Sequence, residues 1–300
     1  MDILRLGTFT PSVLLDIART TGRLYDSGLQ VREIAVPSSP AQFASLRDGD
    51  FDAVFTSPDN VLAYRFLPGN PLGELLDVEI VAGIDRGLGL CLGARPRAVS
   101  GADIRGGRLG VDVPNSGFAF VAYALLERLG LTRDEYQVVT LGSTPKRAIA
   151  LRDGGCDATV LNAGNELIAR AAGCTLLADV TLLGPYLGTV VARVRSAPGA
   201  NAVDRLIDVL RETAADICSG DLDDETCAAA VRVLGLDPAP ATEHLAVLRD
   251  PARGLIPGGT VDTASFETLV DLRRRYLSVP ELDGIVARLD EVVRSGSLLH

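Results

Sequence analysis

One stretch of the chain occurs twice. Leu46-Arg47-Asp48-Gly49-Asp50-Phe51-Asp52-Ala53 is matched 105 residues later by Leu151-Arg152-Asp153-Gly154-Gly155-Cys156-Asp157-Ala158, and Asn60 is matched by Asn165 at the same offset. In each copy a helical pattern stops at a glycine, a short apolar strand follows, and a polar turn follows the strand. Such a joint is common enough for one match to arise by chance. The stronger reading is two lobes of similar α/β design, since a single match is too few for a stacked array.

The surrounding pattern fits that reading. Ile3 to Gly7 is a short strand, Val13 to Thr21 has helical spacing, and Val31 to Val36 alternates as a strand. Ser38, Ser39 and Pro40 open a helix ending near Gly49, and Asp52 to Phe55 is a strand before the turn Thr56-Ser57-Pro58-Asp59-Asn60. A second series follows, with strands over Val78 to Gly83, Gly87 to Leu92, Arg108 to Val111, Tyr136 to Leu141 and Asp157 to Leu161. Helices over Phe118 to Leu129 and Ser143 to Arg152 separate the last three. This alternation predicts mainly parallel sheets flanked by helices. From Pro198 the pattern is helical, over Asn201 to Cys218, Asp224 to Leu234, Thr242 to Leu248, Asp262 to Tyr276 and Glu281 to Ser295. The expected division is 1–85 with 192–300 as lobe one, including the tail, and 86–191 as lobe two.

Composition narrows the function. The 300 residues carry a formal charge of −10, and such a surface repels phosphate backbones, so no nucleic-acid partner is expected. No run of apolar residues is long enough for a membrane span. Met1-Asp2-Ile3 enters a strand with no basic and apolar leader, which reads as cytoplasmic, or as periplasmic or cell-surface if a leader has been removed. The five cysteines, Cys91, Cys156, Cys174, Cys218 and Cys227, have no CxxC or zinc-like spacing and read as small buried hydrophobes, with a Cys218–Cys227 disulfide as the minor alternative. Only His244, in the tail, and His300 are histidines, so neither a metal site nor a cofactor is expected. No phosphate-loop motif is present.

Ligands of open α/β sheets bind beyond the carboxyl ends of strands, and four loops meet that rule. They are Thr8-Phe9-Thr10, Thr56-Ser57-Pro58-Asp59-Asn60, Asn115-Ser116-Gly117 and Asn162-Ala163-Gly164-Asn165. Asn115-Ser116-Gly117 opens a helix and suits either a plain N-cap or the seat of a carboxylate, sulfonate or phosphate. Asp59 reads as a turn residue, as a contact for a ligand amine, or as a base if the chain is an enzyme. Phe9 and Tyr186 are candidates for stacking on a flat ligand, with core packing as the alternative. Gly184, Pro185 and Gly188 read as a turn or a hinge crossover. Arg273-Arg274-Arg275 reads as a solvated face or a small docking patch.

Taken together, ARTTGRLYDSGLQV from Ala18, VPSSPAQFASLRDGDFDAVFTSPDN from Val36, PNSGFAFVAYALLERLG from Pro114, PYLGTVV from Pro185 and GLIPGGTVDTASFETLVDLRRRY from Gly254 resemble the SsuA/THI5-like group of type 2 periplasmic binding proteins. The resemblance spans nearly the whole chain. It implies a two-lobed α/β fold, each lobe a mixed, mainly parallel sheet flanked by helices, closing over a small ligand like a Venus flytrap. The group includes substrate-binding components of ABC importers for sulfonates, nitrate and thiamine precursors, and a branch that makes a pyrimidine. An ABC permease is therefore the implied partner if the chain is exported. The chain departs from the group in lacking a leader, and from the pyrimidine-making branch in lacking its cysteine-rich motif and active-site histidine. Two functions follow as expectations: capture of an anionic or heteroaromatic metabolite between the lobes, or a leaderless enzyme (decarboxylase, dehydratase or lyase) on the same fold.

Overall fold

The protein is described here by a computed structural model covering residues 1–299; His300 lies outside the described residues. Its first unit runs β1 (Asp2–Thr8), α1 (Val13–Thr20), α2 (Arg23–Asp26), β2 (Leu29–Ala35), α3 (Ser39–Arg47), β3 (Ala53–Thr56), α4 (Pro58–Phe66) and β4 (Val78–Asp85). The second runs β5 (Cys91–Ala94), β6 (Arg108–Val111), α5 (Gly117–Arg128), β7 (Gln137–Thr140), α6 (Thr144–Arg152), β8 (Ala158–Leu161), α7 (Asn165–Ala171) and β9 (Thr175–Asp179). β10 (Thr189–Val194) then returns to the first unit. The tail holds α8 (Ala200–Ser219), α9 (Asp223–Leu234), α10 (Pro238–Arg249), β11 (Val261–Asp262), α11 (Thr263–Tyr276) and β12 (Leu298–Leu299).

Among the described residues two five-stranded sheets form, in the orders β2-β1-β3-β10-β4 and β7-β6-β8-β5-β9. They follow one plan. In each, the strand second in the order, β1 or β6, pairs in parallel with its two neighbours, and the antiparallel fourth position is taken by the strand that has just crossed from the other lobe, β10 or β5. Two crossovers therefore join the lobes, β4 to β5 and β9 to β10. β10 enters the first sheet at Thr189, slightly ahead of the expected boundary at 192.

The repeated sequence is a repeated structure. Gly49 and Gly154 both have positive φ, 77° and 75°, and stop α3 and α6 where an L side chain would be strained. The next aspartates then fix the strands: the Arg5 amide donates to Asp52 Oδ2 (2.6 Å) and the Arg108 amide to Asp157 Oδ2 (2.8 Å). The amides of Asp52 and Asp157 donate back to the carbonyls of Arg5 and Arg108. The pairs pin the start of β3 beside β1 and the start of β8 beside β6.

Three expectations need correction. Thr56-Ser57-Pro58-Asp59-Asn60 is not a free turn: Ser57 caps α4, Pro58 is its first residue, and Asp59 and Asn60 lie inside it. β5 starts at Cys91 rather than Gly87, because Gly87, Leu88 and Gly89 all have positive φ and turn the chain. Glu281 to Ser295 is not one helix but a series of 3₁₀ turns, interrupted at Gly284 (φ 70°) and Arg288, whose Val293 bridges to Ile80 at the edge of the first sheet.

Burial follows the two-layer logic. The amphipathic α1 buries Val13, Leu14, Ile17 and Ala18 while Thr20 stays at the surface, and it packs against α8 and α9 of the tail. Asp16 of α1 pairs with Arg232 of α9, fastening the tail to the first lobe. Cys91, Cys156 and Cys174 are buried, Cys218 and Cys227 are half-buried, and all five are free thiols.

Candidate functional site

A cleft lies beyond the carboxyl ends of the strands of both sheets, where the chain rule for open α/β folds places a ligand. It encloses about 120 Å³. The first lobe contributes Thr8 at the end of β1 with Phe9 and Thr10 after it, Thr56 at the end of β3 with Ser57 after it, Asn60 of α4 and Asp85 at the end of β4. The second contributes Asp112 after β6, Ser116, Gly117 and Phe118 at the start of α5, Ser143, Thr144 and Arg147 of α6, and Asn162 after β8. The tail closes one side with Leu234, His244, Leu248 and Leu255.

The N-caps of four helices border this space: Ser12 for α1, Ser57 for α4, Ser116 for α5 and Ser143 for α6. First-turn amides have no intrahelical acceptor, so an open end presents donors and the positive end of the helix dipole; α4 offers no free amide there, because Pro58 has no N–H and the Asp59 and Asn60 amides donate to the Ser57 Oγ and carbonyl. Ser116 does what both readings of its motif asked. Its Oγ accepts from the Ala119 amide (3.2 Å), and it borders the cleft with Gly117 and Phe118. Ser143 makes no such side-chain cap, which leaves the Thr144 and Lys146 amides open, Pro145 between them having none.

Arg147, on α6, forms part of the floor. Buried completely, it donates to Thr159 Oγ1 (3.1 Å), Thr144 Oγ1 (3.0 Å) and the carbonyls of Gly142 (2.6 Å) and Val160 (3.3 Å). Burial pulls its pKa down to about 10, which leaves it a cation at neutral pH. Its counterpart 105 residues earlier, Gln42, donates to the carbonyls of Gly7 and Phe55 in the first lobe. The second lobe therefore carries a charge where the first carries a neutral amide. Nearby Asp112 has its carboxyl pKa raised by burial, opposed by the Arg147 charge, and accepts from Ser39 Oγ across the lobes (3.3 Å).

Of the residues expected to meet ligand, Thr8, Phe9, Thr10, Thr56, Ser57, Asn60, Ser116, Gly117 and Asn162 converge on this cleft, and Asp59, Asn115 and Tyr186 do not. Asp59 is sealed behind it. Arg273 of α11 donates to both its oxygens (2.6 and 2.7 Å) and to the Asn115 carbonyl (3.2 Å), with its guanidinium stacked 5.1 Å from the Phe120 ring. Both partners are buried, so Arg273 belongs to no solvated face; Arg274 and Arg275 do. Asn115 is exposed and offers only its carbonyl, to Arg273. Tyr186 is buried in the second crossover, beside Gly87 of the first.

The crossovers touch. A Cβ on Gly188 would lie 2.3 Å from the Gly87 nitrogen and 2.4 Å from Asp85 Oδ1, so only glycine fits there. Asp85 Oδ1 joins the two strands by accepting from the amides of Gly87 (2.7 Å) and Thr189 (3.2 Å). Asp85, Asp112, Arg147 and His244 are among the cleft residues that sequence spacing did not single out. Asp85 and His244 each stand alone in their segments, and only the fold carries the tail histidine to the cleft. Among the described residues no group of three or more His, Cys, Asp or Glu side chains is placed to hold a metal.

A two-lobed mixed α/β molecule with paired crossovers and an interlobe cleft is the fold of the SsuA-like type 2 periplasmic binding proteins. Among solved structures, the chain is similar to the alkanesulfonate-binding protein SsuA from Xanthomonas axonopodis pv. citri bound to MOPS. The identity is 17%, over 99% of this chain and 98% of that one, with a TM-score of 0.70. It is similar to the periplasmic nitrate-binding protein NrtA from Synechocystis PCC 6803, at 12% identity over 97% and 86% of the chains and a TM-score of 0.77. It is also similar to the desulfurization enzyme DSZB, at 17% identity over 99% and 97% and a TM-score of 0.65. No family model matches the sequence, and no curated protein matches it at a significant level. At these identities the likeness establishes the fold.

Proposed function

We propose that the protein captures a small organic metabolite between its lobes, with an anionic group of that metabolite on the first turns of α5 and α6 beside Arg147. The observation that carries this reading is the convergence on one cleft of the N-terminus of α1 from the first lobe with those of α5 and α6 from the second, an arrangement suited to anions. The lobes of this proposal are 1–85 with the segment from β10 onward, and the segment between. A ligand touching both stabilises the closed arrangement over the open one. The similarity to proteins named for binding alkanesulfonate and nitrate agrees with capture.

DSZB carries an enzyme on this fold, so the fold alone does not choose. Asp59, the candidate base of the enzyme reading, is held by Arg273 away from the cleft, which removes it from such a mechanism. Capture for import implies an ABC permease as partner, with permease and ATPase genes as neighbours.

A thermal-shift screen of sulfonates, carboxylates, phosphates and pyrimidines tests the proposal. A compound at a hundred times its Kd adds about 2.7 kcal/mol of stability and is recovered unchanged after long incubation. Absence of any stabilising acid contradicts anion capture, and conversion of a bound compound favours the enzyme.

A further inference from the structure

The cleft contains acceptors that an anion cannot satisfy. Asp85 Oδ2, Asp112 Oδ1 and His244 Nδ1 are buried with no hydrogen-bond partner among the described residues, and all three side chains line the cleft. Asp85 is wholly buried, and the crossover amides use only its Oδ1. His244, 1 % exposed on α10, has Leu248 one turn further along the same helix. Ile84 precedes Asp85, and Leu255 bridges to it. These acceptors therefore sit in an apolar wall, where a polar atom without a partner is costly. Burial lifts the Asp85 carboxyl to about 6 and holds His244 near 4. At neutral pH the first is an anion and the second a neutral ring with one acceptor and one donor nitrogen. An inorganic anion or an alkyl acid brings no donor for Asp85 Oδ2 or for the acceptor nitrogen of His244, and is repelled by the carboxylates.

We infer that Asp85 Oδ2 and His244 form a donor-reading subsite in the same cleft, and that the captured molecule is an acid that also carries a protonated amine or an N–H heterocycle. This rests on the anion-capture reading and adds the other half of the ligand. Thr189 and Gly87 hold Asp85 Oδ1, which fixes the direction of Oδ2 and preorganises the acceptor.

Calorimetric titration at pH 7.5 with matched probes tests it: ω-amino acids against the unsubstituted acids of the same chain length, and imidazoleacetate against phenylacetate. The expected result is that at least one donor-bearing probe binds about tenfold or more tightly than its match, the discrimination of a charge-assisted hydrogen bond. Asp85→Asn keeps an acceptor for Gly87 and Thr189 but replaces Oδ2 with a donor, and it should bring that ratio to within about twofold. His244→Leu should lower the same ratio, so the result does not depend on one variant folding. Equal affinities within every pair, or a ratio untouched by both variants, overturn the subsite and leave anion capture standing. If no acid of either kind binds, anion capture fails and this inference falls with it.

Discussion

The Asp59–Arg273 pair shows how far one residue's role depends on what the fold brings to it. Read along the chain, Ser57-Pro58-Asp59 is turn chemistry and Arg273 one of three consecutive arginines. In the fold they form a buried bidentate pair joining α4 to α11, which also grips the Asn115 carbonyl of the second lobe. Removing one partner leaves an uncompensated buried charge. Arg273→Ala should therefore cost about 3–5 kcal/mol in urea unfolding, while Asp59→Leu combined with Arg273→Met should recover most of it. A loss under about 1 kcal/mol for the single variant would mean the pair is not what seals this corner. His244 belongs to the same scale. Its folded pKa, near 4, lies below the usual 6.5, because burial disfavours the charged ring. Between those values the unfolded chain binds a proton that the folded chain does not, so stability falls as pH drops from 6.5 toward 4. His244→Gln should shrink the difference in unfolding free energy between pH 7.5 and 4.5 by about 2–3 kcal/mol. An unchanged pH profile would show that the ring titrates normally. Neither Asp85 nor His244 was legible in the sequence as a cleft residue, since an isolated acid or histidine has no local pattern.

Elements were far more legible. Glycine stops, serine caps and apolar alternation mark α1, α3, α5, α6 and their neighbouring strands, because capping and strand burial are set by residues close in sequence. The repeated Leu-Arg-Asp-Gly motif gave the shared lobe plan for the same reason, since its positive-φ glycine and strand-pinning aspartate act locally. Glu281 to Ser295 failed as a helix because Leu282, Ile285, Leu289 and Val292 keep a helical spacing while Gly284 breaks the backbone and the edge of the first sheet recruits Val293. Sheet-edge pairing is not written in spacing. The crossovers give an element-scale prediction. Gly188→Ala drives a Cβ into the Gly87 backbone and Asp85, so the joined strands must part. A loss of about 1–3 kcal/mol in denaturant unfolding is expected, as for overpacking elsewhere. Gly154→Ala, where nothing lies within 4 Å, should cost only the strain of its positive φ, about 1 kcal/mol. Equal losses at the two glycines would contradict the contact between crossovers.

At the scale of the molecule, two sheets built to one plan exchange a strand and leave a gap where their strand ends face each other. The lobes already meet at its rim, since a Cβ on Gly117 would lie 2.7 Å from that of Asp59. Among the described residues no helix is long and apolar enough to cross a membrane. Everything proposed about function requires the ligand to occupy that gap. Thr10 borders it without a side-chain hydrogen bond among the described residues, so Thr10→Trp fills the space and leaves the hydrogen-bonded framework intact. Calorimetric titration of any stabilising acid against this variant is the direct test. The account predicts an affinity at least about a hundredfold weaker, with the unfolding midpoint little changed. Undiminished binding to the filled cleft would place the ligand elsewhere and contradict it.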